Sequence, residues 1–410
     1  MSDYPQANIP TDPVLCMATF GSNRGSGVPS VLDASNVRHV TSGRVAIGLA
    51  LLAMQVGAGD QVLIPAYHSR SMVEPVIWTG ALPVFFRVRA DTSLDLDDLA
   101  AKLTPHSKVV MVPNYFGFPQ DLAGIRDFCD RHGLLMLEDC AHAFFGEHGG
   151  RPLGSWGDFA IASTMKFLPV YDGGCLVSAR HDLRHIALHS AGAKFEIKTA
   201  LNTLERAFVY ARMRPLAWML ALPLAIKDWL WGALKRQDAT SGDQARQSPA
   251  GAMALGPKSA DGAFGFETAW LDKRSSIVSR LVTRHALRRR IAARRRANYL
   301  HLQAQLKDLP GCRPLYATMP AGTVPWLFPL LADDPAHVFP MLKNAGVPVV
   351  RFAEFLWDGV DEGVCAVSVG LSRRVLQLPV HQELRPAELD WMVDTVRTIF
   401  QAAAREPVAA

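Results

Sequence analysis

Residues 137–177 read LEDCAHAFFGEHGGRPLGSWGDFAIASTMKFLPVYDGGCLV. The apolar run at 134–137 predicts a short buried strand, which places Asp139 just beyond its carboxyl end. Phe159–Ser163 predicts the next strand, and Lys166 lies in the loop that leaves it. Open α/β sheets bind ligands at the carboxyl ends of their strands, so we expect the acid and the lysine at one edge of a sheet.

A carboxylate and a lysine at such an edge are typical of pyridoxal phosphate (PLP) chemistry. The lysine forms a Schiff base with the cofactor, and the acid keeps the pyridine nitrogen protonated so that the ring withdraws electrons. For Asp139 and Lys166 taken alone, a surface acid and a solvated lysine are the stronger interpretation. Whether these two residues form a PLP site therefore depends on the motifs that surround them.

Three ordered motifs give this chain a resemblance to the DegT/DnrJ/StrS family of PLP-dependent sugar aminotransferases. Residues 138–142 (EDCAH) match the family's ED-x-A followed by Gln or His, and residues 154–158 (GSWGD) match its G-x-x-G-D. Residues 166–174 match its segment from the lysine to a Gly-Gly pair. The resemblance is good over 38–180 and loose over 270–400.

The resemblance implies an α/β architecture of the aspartate aminotransferase type, called fold type I. A large PLP-binding domain with a mostly parallel sheet is then followed by a smaller C-terminal α/β domain. It implies that Lys166 binds PLP and moves the proton between Cα and C4′, and that Asp139 holds the pyridinium charged. It assigns His142 to the phenolic oxygen of the cofactor. Ser163 is the expected phosphate ligand, with a serine bonded only to backbone as the alternative.

The cofactor phosphate is expected at the start of the first strong helix. Ser42 precedes an apolar helical run over 45–55, a pattern that favours a helix cap, and free amides at a helix start bind anions. The resembling family places the phosphate at this turn, here Ser42, Gly43 and Arg44. Arg44 replaces a small hydroxyl residue there, so the backbone amides remain as the expected contacts.

The ring of the cofactor is expected to stack on an aromatic residue after the strand Gln61–Pro65. Either Tyr67 or His68 can supply it, and His68 is preferred. Two further positions depart from the family. Asn114 replaces the histidine of its His-x-Tyr-Gly-x-Pro loop, and Asp272 stands where an asparagine reaches the neighbouring subunit's cofactor. These departures indicate a divergent branch.

At 410 residues the chain is long enough for two domains, and its alternating strands and helices predict a mostly parallel sheet. We expect an N-terminal arm over 1–37, either packed on a partner subunit or irregular. The large PLP-binding domain is expected over 38–265, with a divergent insertion at 183–265. The small domain then covers 266–410, with strands expected at 325–331, 347–352 and 364–369.

The insertion begins with an apolar, tryptophan-rich segment from Phe208 to Leu234. Prolines and charged residues interrupt it, so it does not read as a membrane span. We favour packing on the subunit or a partner, with peripheral membrane contact as the alternative. A Ser/Gly/Ala/Gln-rich linker at 237–262 is expected to be disordered. In the arginine-rich helix expected over 275–306, a solvated basic face is favoured over an anion-binding one.

Composition places few limits on function. A net charge of +5 is mild and gives little support for nucleic-acid binding, and six scattered cysteines show no metal-binding spacing. The amino-terminal residues show no secretory leader, so a reduced cytoplasm is the expected compartment.

The expected reaction transfers an amino group from an amino acid, glutamate first, to a keto-sugar, with a nucleotide as the expected carrier, in polysaccharide or glycoconjugate synthesis. The resemblance also implies a homodimer. Two alternatives stay open: another PLP reaction on a non-sugar substrate, and a non-catalytic PLP-binding or scaffold protein of a surface-polysaccharide cluster. Retention of Asp139 and Lys166 favours an enzyme, because a scaffold needs neither.

Overall fold

The computed structural model describes residues 4–5, 7–21, 27–216, 218 and 266–405. Its main sheet has seven strands in the order β1-β9-β8-β5-β4-β2-β3. Strands β8, β5, β4, β2 and β3 are parallel, whereas β9 runs antiparallel to both of its neighbours. The mostly parallel α/β sheet expected from the sequence is therefore confirmed. The strands are β1 Asn36–Val40, β2 Gln61–Pro65, β3 Leu82–Phe86, β4 Ser107–Pro113, β5 Leu135–Cys140, β8 Phe159–Ser163 and β9 Gly174–Ser178.

Helices alternate with these strands, as parallel crossovers require. Buried residues of the first two helices pack with strand residues in one apolar core, while a second, larger core extends into the C-terminal half of the chain. A two-stranded hairpin, β6 Glu147–His148 and β7 Arg151–Pro152, lies between β5 and β8. The helices are α1 Gly43–Ala53, α2 Arg70–Trp78, α3 Leu96–Ala101, α4 Leu122–His132 and α5 Ala193–Val209.

A second, antiparallel sheet of four strands has the order β10-β11-β13-β12. Its strands are β10 Cys312–Pro314, β11 Leu327–Ala332, β12 Val350–Arg351 and β13 Val375–Pro379. The accompanying helices are α6 Ile277–His285, α7 Arg288–Leu306, α8 Pro335–Asn344, α9 Glu362–Arg374 and α10 Pro386–Ala403. A C-terminal α/β unit follows the large sheet, and the exact division at residue 265 stays a prediction.

Helix α1 begins at the carboxyl edge of the main sheet, close to β9. The Ser42 side chain accepts a hydrogen bond from Val45 N at 3.3 Å and so caps the helix. Gly174 packs so tightly against this start that a Cβ there would lie 2.4 Å from the Ser42 carbonyl carbon and 2.6 Å from Gly43 N. Only glycine allows the first turn of α1 to approach the sheet this closely.

Two sequence-based expectations for the C-terminal half are wrong. The strand expected at 364–369 is part of helix α9, because the Asp361 side chain caps Val364 N and the buried residues recur at helical spacing. The single helix expected over 275–306 is two helices. Ala286 takes an extended conformation between them, where it forms an antiparallel bridge with Phe20.

The described part of the N-terminal arm packs on its own chain. Ile9 and Leu15 are buried in the larger core, and the Pro10 carbonyl lies 2.8 Å from His381 Nε2. Of the apolar segment that begins at Phe208, residues 217 and 219–234 lie outside the described residues, as does the linker expected at 237–262. Within the described residues, every helix is too short or too polar to cross a membrane.

Replacing Gly174 with alanine should destabilise the fold, because the new Cβ overlaps the backbone of the α1 start. We expect the free energy of unfolding to fall by about 1–3 kcal/mol, measured by urea denaturation. Gly370→Ala is the matched control. Nothing lies within 4 Å of a Cβ at Gly370 in helix α9, so that change should be neutral or stabilising by up to about 1 kcal/mol. Equal effects of the two variants would contradict the close approach.

Candidate active site

Asp139 lies near the carboxyl end of β5, the central strand of the seven-stranded sheet. It is 8% exposed, and its Oδ1 accepts a hydrogen bond from Ala141 N at 2.8 Å, which orients the carboxylate. Burial raises the pKa of Asp139, while the Ala141 amide and the positive charge of Lys166 oppose that rise. The carboxylate is thus a desolvated acid that depends on nearby positive charge for its ionisation.

Lys166 lies in the loop between β8 and β9, as the sequence predicts. Its Nζ lies 4.3 Å from the centroid of the Trp326 ring, a distance typical of a cation–π contact. Its charge acts on the pKa of both Asp139 and His142. The structure therefore brings the expected lysine, acid and histidine into one site.

His142 is held by three contacts in this site. Its Nδ1 accepts a hydrogen bond from Phe116 N at 3.4 Å, its ring stacks on Trp326 with centroids 3.9 Å apart, and its centroid lies 4.8 Å from that of Phe352. Burial, with a contribution from Lys166, holds the pKa of His142 well below its usual value, so the imidazole is neutral. With Nδ1 as the acceptor, the ring proton resides on Nε2, which is then a donor.

The expected phosphate ligands gather beside this group. Ser163 is the last residue of β8. A Cβ placed on Gly43 would lie 3.7 Å from the Cβ of Ser163, so the serine and the first turn of α1 are neighbours. Ser42 uses its hydroxyl to cap the helix. Arg44 directs its guanidinium toward Glu74 on α2, with Nε and Oε2 3.7 Å apart.

Two buried hydroxyls adjoin this turn. Among the described residues, Thr41 Oγ1 and Thr164 Oγ1 are buried without a hydrogen-bond partner. Thr41 precedes the α1 cap, and Thr164 follows Ser163 and donates its backbone N–H to the Gly173 carbonyl. Unpartnered hydroxyls beside a helix N-terminus suit a polar, anionic group.

The preferred stacking residue, His68, makes other contacts. It is fully buried, its ring stacks on Phe85 with centroids 4.9 Å apart, Nδ1 lies 3.0 Å from the Ala66 carbonyl, and Nε2 accepts Trp357 N–H at 3.0 Å. Tyr67, the alternative, is closer to the site aromatics.

The Tyr67 ring contacts Tyr115 and Phe352 with centroids 5.3 and 5.1 Å away. Phe352 in turn contacts His142. The geometry therefore favours Tyr67 over His68 as the aromatic residue nearest to the site, and the stacking role itself stays a prediction.

Glu138 connects the EDCAH motif at 138–142 to the GSWGD motif at 154–158. Its carboxylate, fully buried, accepts backbone N–H groups of Gly154, Trp156 and Gly157 at 2.8, 3.1 and 3.4 Å. It also accepts Asn114 Nδ2 at 3.2 Å. The acid before Asp139 thus fastens the G-x-x-G-D loop beneath the site, and Asn114 has a structural role in its loop.

The segment that begins at Asp272 is anchored through a different acid. Asp172, fully buried beside the Gly-Gly pair, accepts hydrogen bonds from the Ser276 backbone and hydroxyl at 2.8 and 2.6 Å and from the Ser279 hydroxyl at 2.5 Å. Ser276 also caps helix α6. This network ties α6 to the loop that carries Lys166, while the Asp272 side chain pairs with Lys273.

The expectation of a solvated arginine face is wrong for much of α7. Arg290 pairs with Glu383 at 2.7 Å, Arg294 donates to the Leu384 carbonyl at 2.8 Å, and Arg296 donates to the Thr323 carbonyl at 2.5 Å. Arg295 is fully buried. These side chains bind carbonyls and acids of the surrounding loops.

A mostly parallel sheet that gathers a lysine, a buried acid and a neutral histidine beside a helix N-terminus is the arrangement expected of fold type I. The DegT/DnrJ/EryC1/StrS aminotransferase family model matches residues 29–208. The resemblance drawn from the sequence motifs is confirmed by this match.

Curated relatives are similar to this chain over 150 to 169 residues. GDP-perosamine synthase of Vibrio cholerae is 32% identical over 150 residues, which are 36% of this chain and 41% of that protein. The dTDP-4-dehydro-2,3,6-trideoxy-D-glucose 4-aminotransferase of Saccharopolyspora spinosa is 35% identical over 159 residues, 38% of this chain and 41% of that protein. The chain thus spans about two fifths of the length of the curated relatives it matches.

Solved structures extend the likeness of fold to nearly the whole chain. The PLP-form of Spr1654, a putative sugar aminotransferase from Streptococcus pneumoniae, has a TM-score of 0.61 at 17% sequence identity and covers 96% of this chain and 99% of that one. At this identity the match establishes the fold alone.

Three residues of the site are not predicted from the sequence: Phe116, Trp326 and Phe352. Phe116 adopts a left-handed conformation, φ 57°, which is uncommon for a bulky residue and marks local strain at the site. Trp326 is the second residue of the region expected as a strand at 325–331 and directly precedes β11, so its place at an element's end is the signal that could have identified it.

Stability should report the burial of neutral His68. Burial lowers the pKa of His68 to about 4. Below about pH 6.5 the unfolded chain therefore protonates His68, whereas the folded protein keeps it neutral down to about pH 4. The neutral form therefore stabilises the fold fully above pH 6.5, and this contribution is lost as the pH falls toward 4. Between pH 7 and 5 we expect His68 to account for about 2 kcal/mol of lost unfolding free energy.

Urea denaturation of the wild type and of His68→Gln at about pH 7 and pH 5 measures the contribution of His68 to the loss of unfolding free energy. The variant should be less stable at pH 7, because the Trp357 N–H loses its acceptor, but should lose about 2 kcal/mol less on acidification. Parallel losses in the two proteins would contradict a neutral, buried His68.

Proposed function

We propose that this chain is a PLP-dependent aminotransferase that moves an amino group from an amino acid, with glutamate as the first candidate, to a keto-sugar carried on a nucleotide. The observation that carries the proposal is the meeting of Lys166, Asp139 and His142 at the carboxyl edge of the parallel sheet. Ser163 and the first turn of α1 are neighbours at the same edge of the sheet and supply polar groups suited to a phosphate.

The residues present suit the cofactor. Lys166 would hold it covalently, Asp139 would bind the protonated pyridine nitrogen, and His142 would donate from Nε2 to the phenolic oxygen. Ser163 and the α1 amides, with Ser42 as their cap, would take the phosphate, and the hydroxyls of Thr41 and Thr164 would add polar contacts. When bound, PLP supplies an electron sink for the electrons released at the substrate Cα.

The remaining chemistry is proton transfer and charge placement by the chain. With the cofactor bound, the Lys166 amine would be the base that takes the proton from the substrate Cα. Asp139 can remain a carboxylate despite its burial only if a positive charge faces it, and a protonated ring nitrogen provides one. Trp326 and Phe352 reduce water access around His142, which strengthens these interactions.

The substrate class is supported by the relatives. The two curated relatives described above are named for a GDP-linked and a dTDP-linked sugar. Their likeness covers 36% and 38% of this chain, so the sugar side of the site is the extrapolated part of the proposal. The glutamate donor rests on the family resemblance.

We also propose a homodimer, a cytoplasmic location and a peripheral membrane contact. A homodimer follows from the family resemblance. A reduced cytoplasm is consistent with the six cysteines, all of which are free thiols. Peripheral membrane contact through the segment that begins at Phe208 is supported by Trp218, whose side chain is 82% exposed.

Substitutions of the lysine and the acid test the reaction. The purified protein loaded with PLP and mixed with L-glutamate should release 2-oxoglutarate, measured as one equivalent per site in a single turnover. Lys166→Ala should abolish this, since both the covalent link and the base are lost. Asp139→Asn should reduce the single-turnover rate at least about 100-fold, or about 2.7 kcal/mol, because a neutral amide no longer favours the protonated ring.

Glu147→Gln serves as the control, a half-buried acid on the neighbouring hairpin that should leave the rate unchanged. Keto-sugars carried on GDP, UDP and dTDP are then supplied to close the cycle. Bound PLP that reacts with no amino acid would instead favour a different PLP reaction. Failure to bind PLP would favour the scaffold alternative.

A further inference from the structure

Arg295 on helix α7 is the largest fully buried side chain in the described residues. Its Nε donates to Gln382 Oε1 at 2.9 Å. Its Nη1 lies 3.2 and 2.9 Å from the carbonyl oxygens of Pro325 and Trp326, and its Nη2 lies 3.0 and 3.5 Å from those of Lys166 and Phe167. A guanidinium has five N–H groups, and five acceptors surround this one.

These acceptors belong to three separate segments. The carbonyls of Lys166 and Phe167 lie in the loop after β8, those of Pro325 and Trp326 just before β11, and Gln382 just after β13. Gln382 closes the arrangement, because its Nε2 donates to the Phe167 carbonyl at 2.9 Å. One side chain thus joins the loop of the large sheet that carries Lys166 to two segments of the second sheet.

The two residues fixed by Arg295 meet in the active site. Trp326, whose carbonyl binds Nη1, presents its ring to Lys166 Nζ at 4.3 Å and to the His142 ring at 3.9 Å. The carbonyl of Lys166 itself binds Nη2. A shift of the guanidinium therefore moves the lysine backbone and the ring against which its amine rests.

The charge of Arg295 is held without direct pairing. Within the described residues its hydrogen-bond partners are four backbone carbonyls and one amide oxygen, and no carboxylate forms an ion pair with it. Burial lowers the pKa of Arg295 to about 9, with Asp12 and Glu383 opposing that fall, so the side chain remains charged at neutral pH. A planar fork of this kind suits five fixed acceptors, whereas a lysine offers three donors from one point.

We propose that Arg295 is a positioning residue that sets the placement of Lys166 relative to Trp326 and His142, and so tunes the amine for proton transfer. It makes no contact with a reacting atom, since its donors are all engaged by the protein. The catalytic part of this inference rests on the proposed aminotransferase function, and the placement part does not.

Arg295→Lys keeps the charge and removes the fork, and Arg294→Lys is its matched control. Arg294 is the preceding residue of the same helix, is only partly buried, and donates to the carbonyl of Leu384 outside the site. In the loaded enzyme, we expect Arg295→Lys to lower the single-turnover rate about 100-fold. The KM for the amino donor should stay within about threefold, because substrate contacts remain. Arg294→Lys should change neither.

A second measurement needs neither cofactor nor activity. Reductive methylation of the cofactor-free protein, followed by peptide mass spectrometry, gives the reaction rate of the Lys166 amine relative to the other lysines. Release from Trp326 should raise the Lys166 rate about threefold or more in Arg295→Lys and leave it unchanged in Arg294→Lys. Trp326→Phe should raise it as well, and combining the two changes should add little if Arg295 acts through Trp326.

The outcomes separate the two proposals. An Arg295→Lys protein with a lowered melting temperature, but with normal Lys166 labelling and a normal rate per loaded site, would reduce Arg295 to a structural role and overturn the inference. Raised labelling in a protein whose wild type shows no transamination would support the placement and reject the proposed function. If Arg295→Lys does not fold, Gln382→Met, which removes the bonds to Arg295 and to the Phe167 carbonyl, takes its place with the same expectations.

Discussion

The arrangement of this molecule depends on a buried positive charge bound almost entirely by main-chain carbonyls. Removing a guanidinium from water costs several kcal/mol, and that cost is offset only if all of its donors find well-placed acceptors. Arg295 satisfies this condition with carbonyls from loops that belong to two different sheets. The same requirement fixes those loops relative to each other, and the residues that they carry, Lys166 and Trp326, meet in the site.

Around this contact, neighbouring residues divide structural and chemical roles by strand geometry. Successive side chains of a strand point to opposite faces. Glu138 therefore binds the G-x-x-G-D loop on one side, while Asp139, the next residue, lies on the other, where the charge of Lys166 lowers its pKa. Gly174 allows the α1 start to approach the carboxyl edge, which brings the first-turn amides next to Ser163. The polar groups of this turn and of β8 are thereby gathered at one edge of the sheet.

Prediction from the sequence succeeded where the signal was local or carried by ordered motifs. The parallel strands, the α1 cap and the meeting of Asp139 with Lys166 follow from apolar periodicity, capping residues and the rule for sheet edges. Prediction failed where two distant segments compete for one residue. The run at 364–369 is strand-like in composition, yet Asp361 caps it as a helix. The stacking role preferred for His68 stays a prediction, and its ring contacts Phe85 and Trp357.

The sequence alone determined the class of fold, the family motifs and the pairing of an acid with a lysine, because each of these is written in short-range spacing. Tertiary structure alone decided which of the α7 arginines is buried, since Arg294, Arg295 and Arg296 are indistinguishable by composition. It also decided that Trp326 lies against Lys166, for these residues are 160 positions apart along the chain. The reason is that burial and long-range hydrogen bonding depend on which loops converge, and no local pattern encodes that convergence.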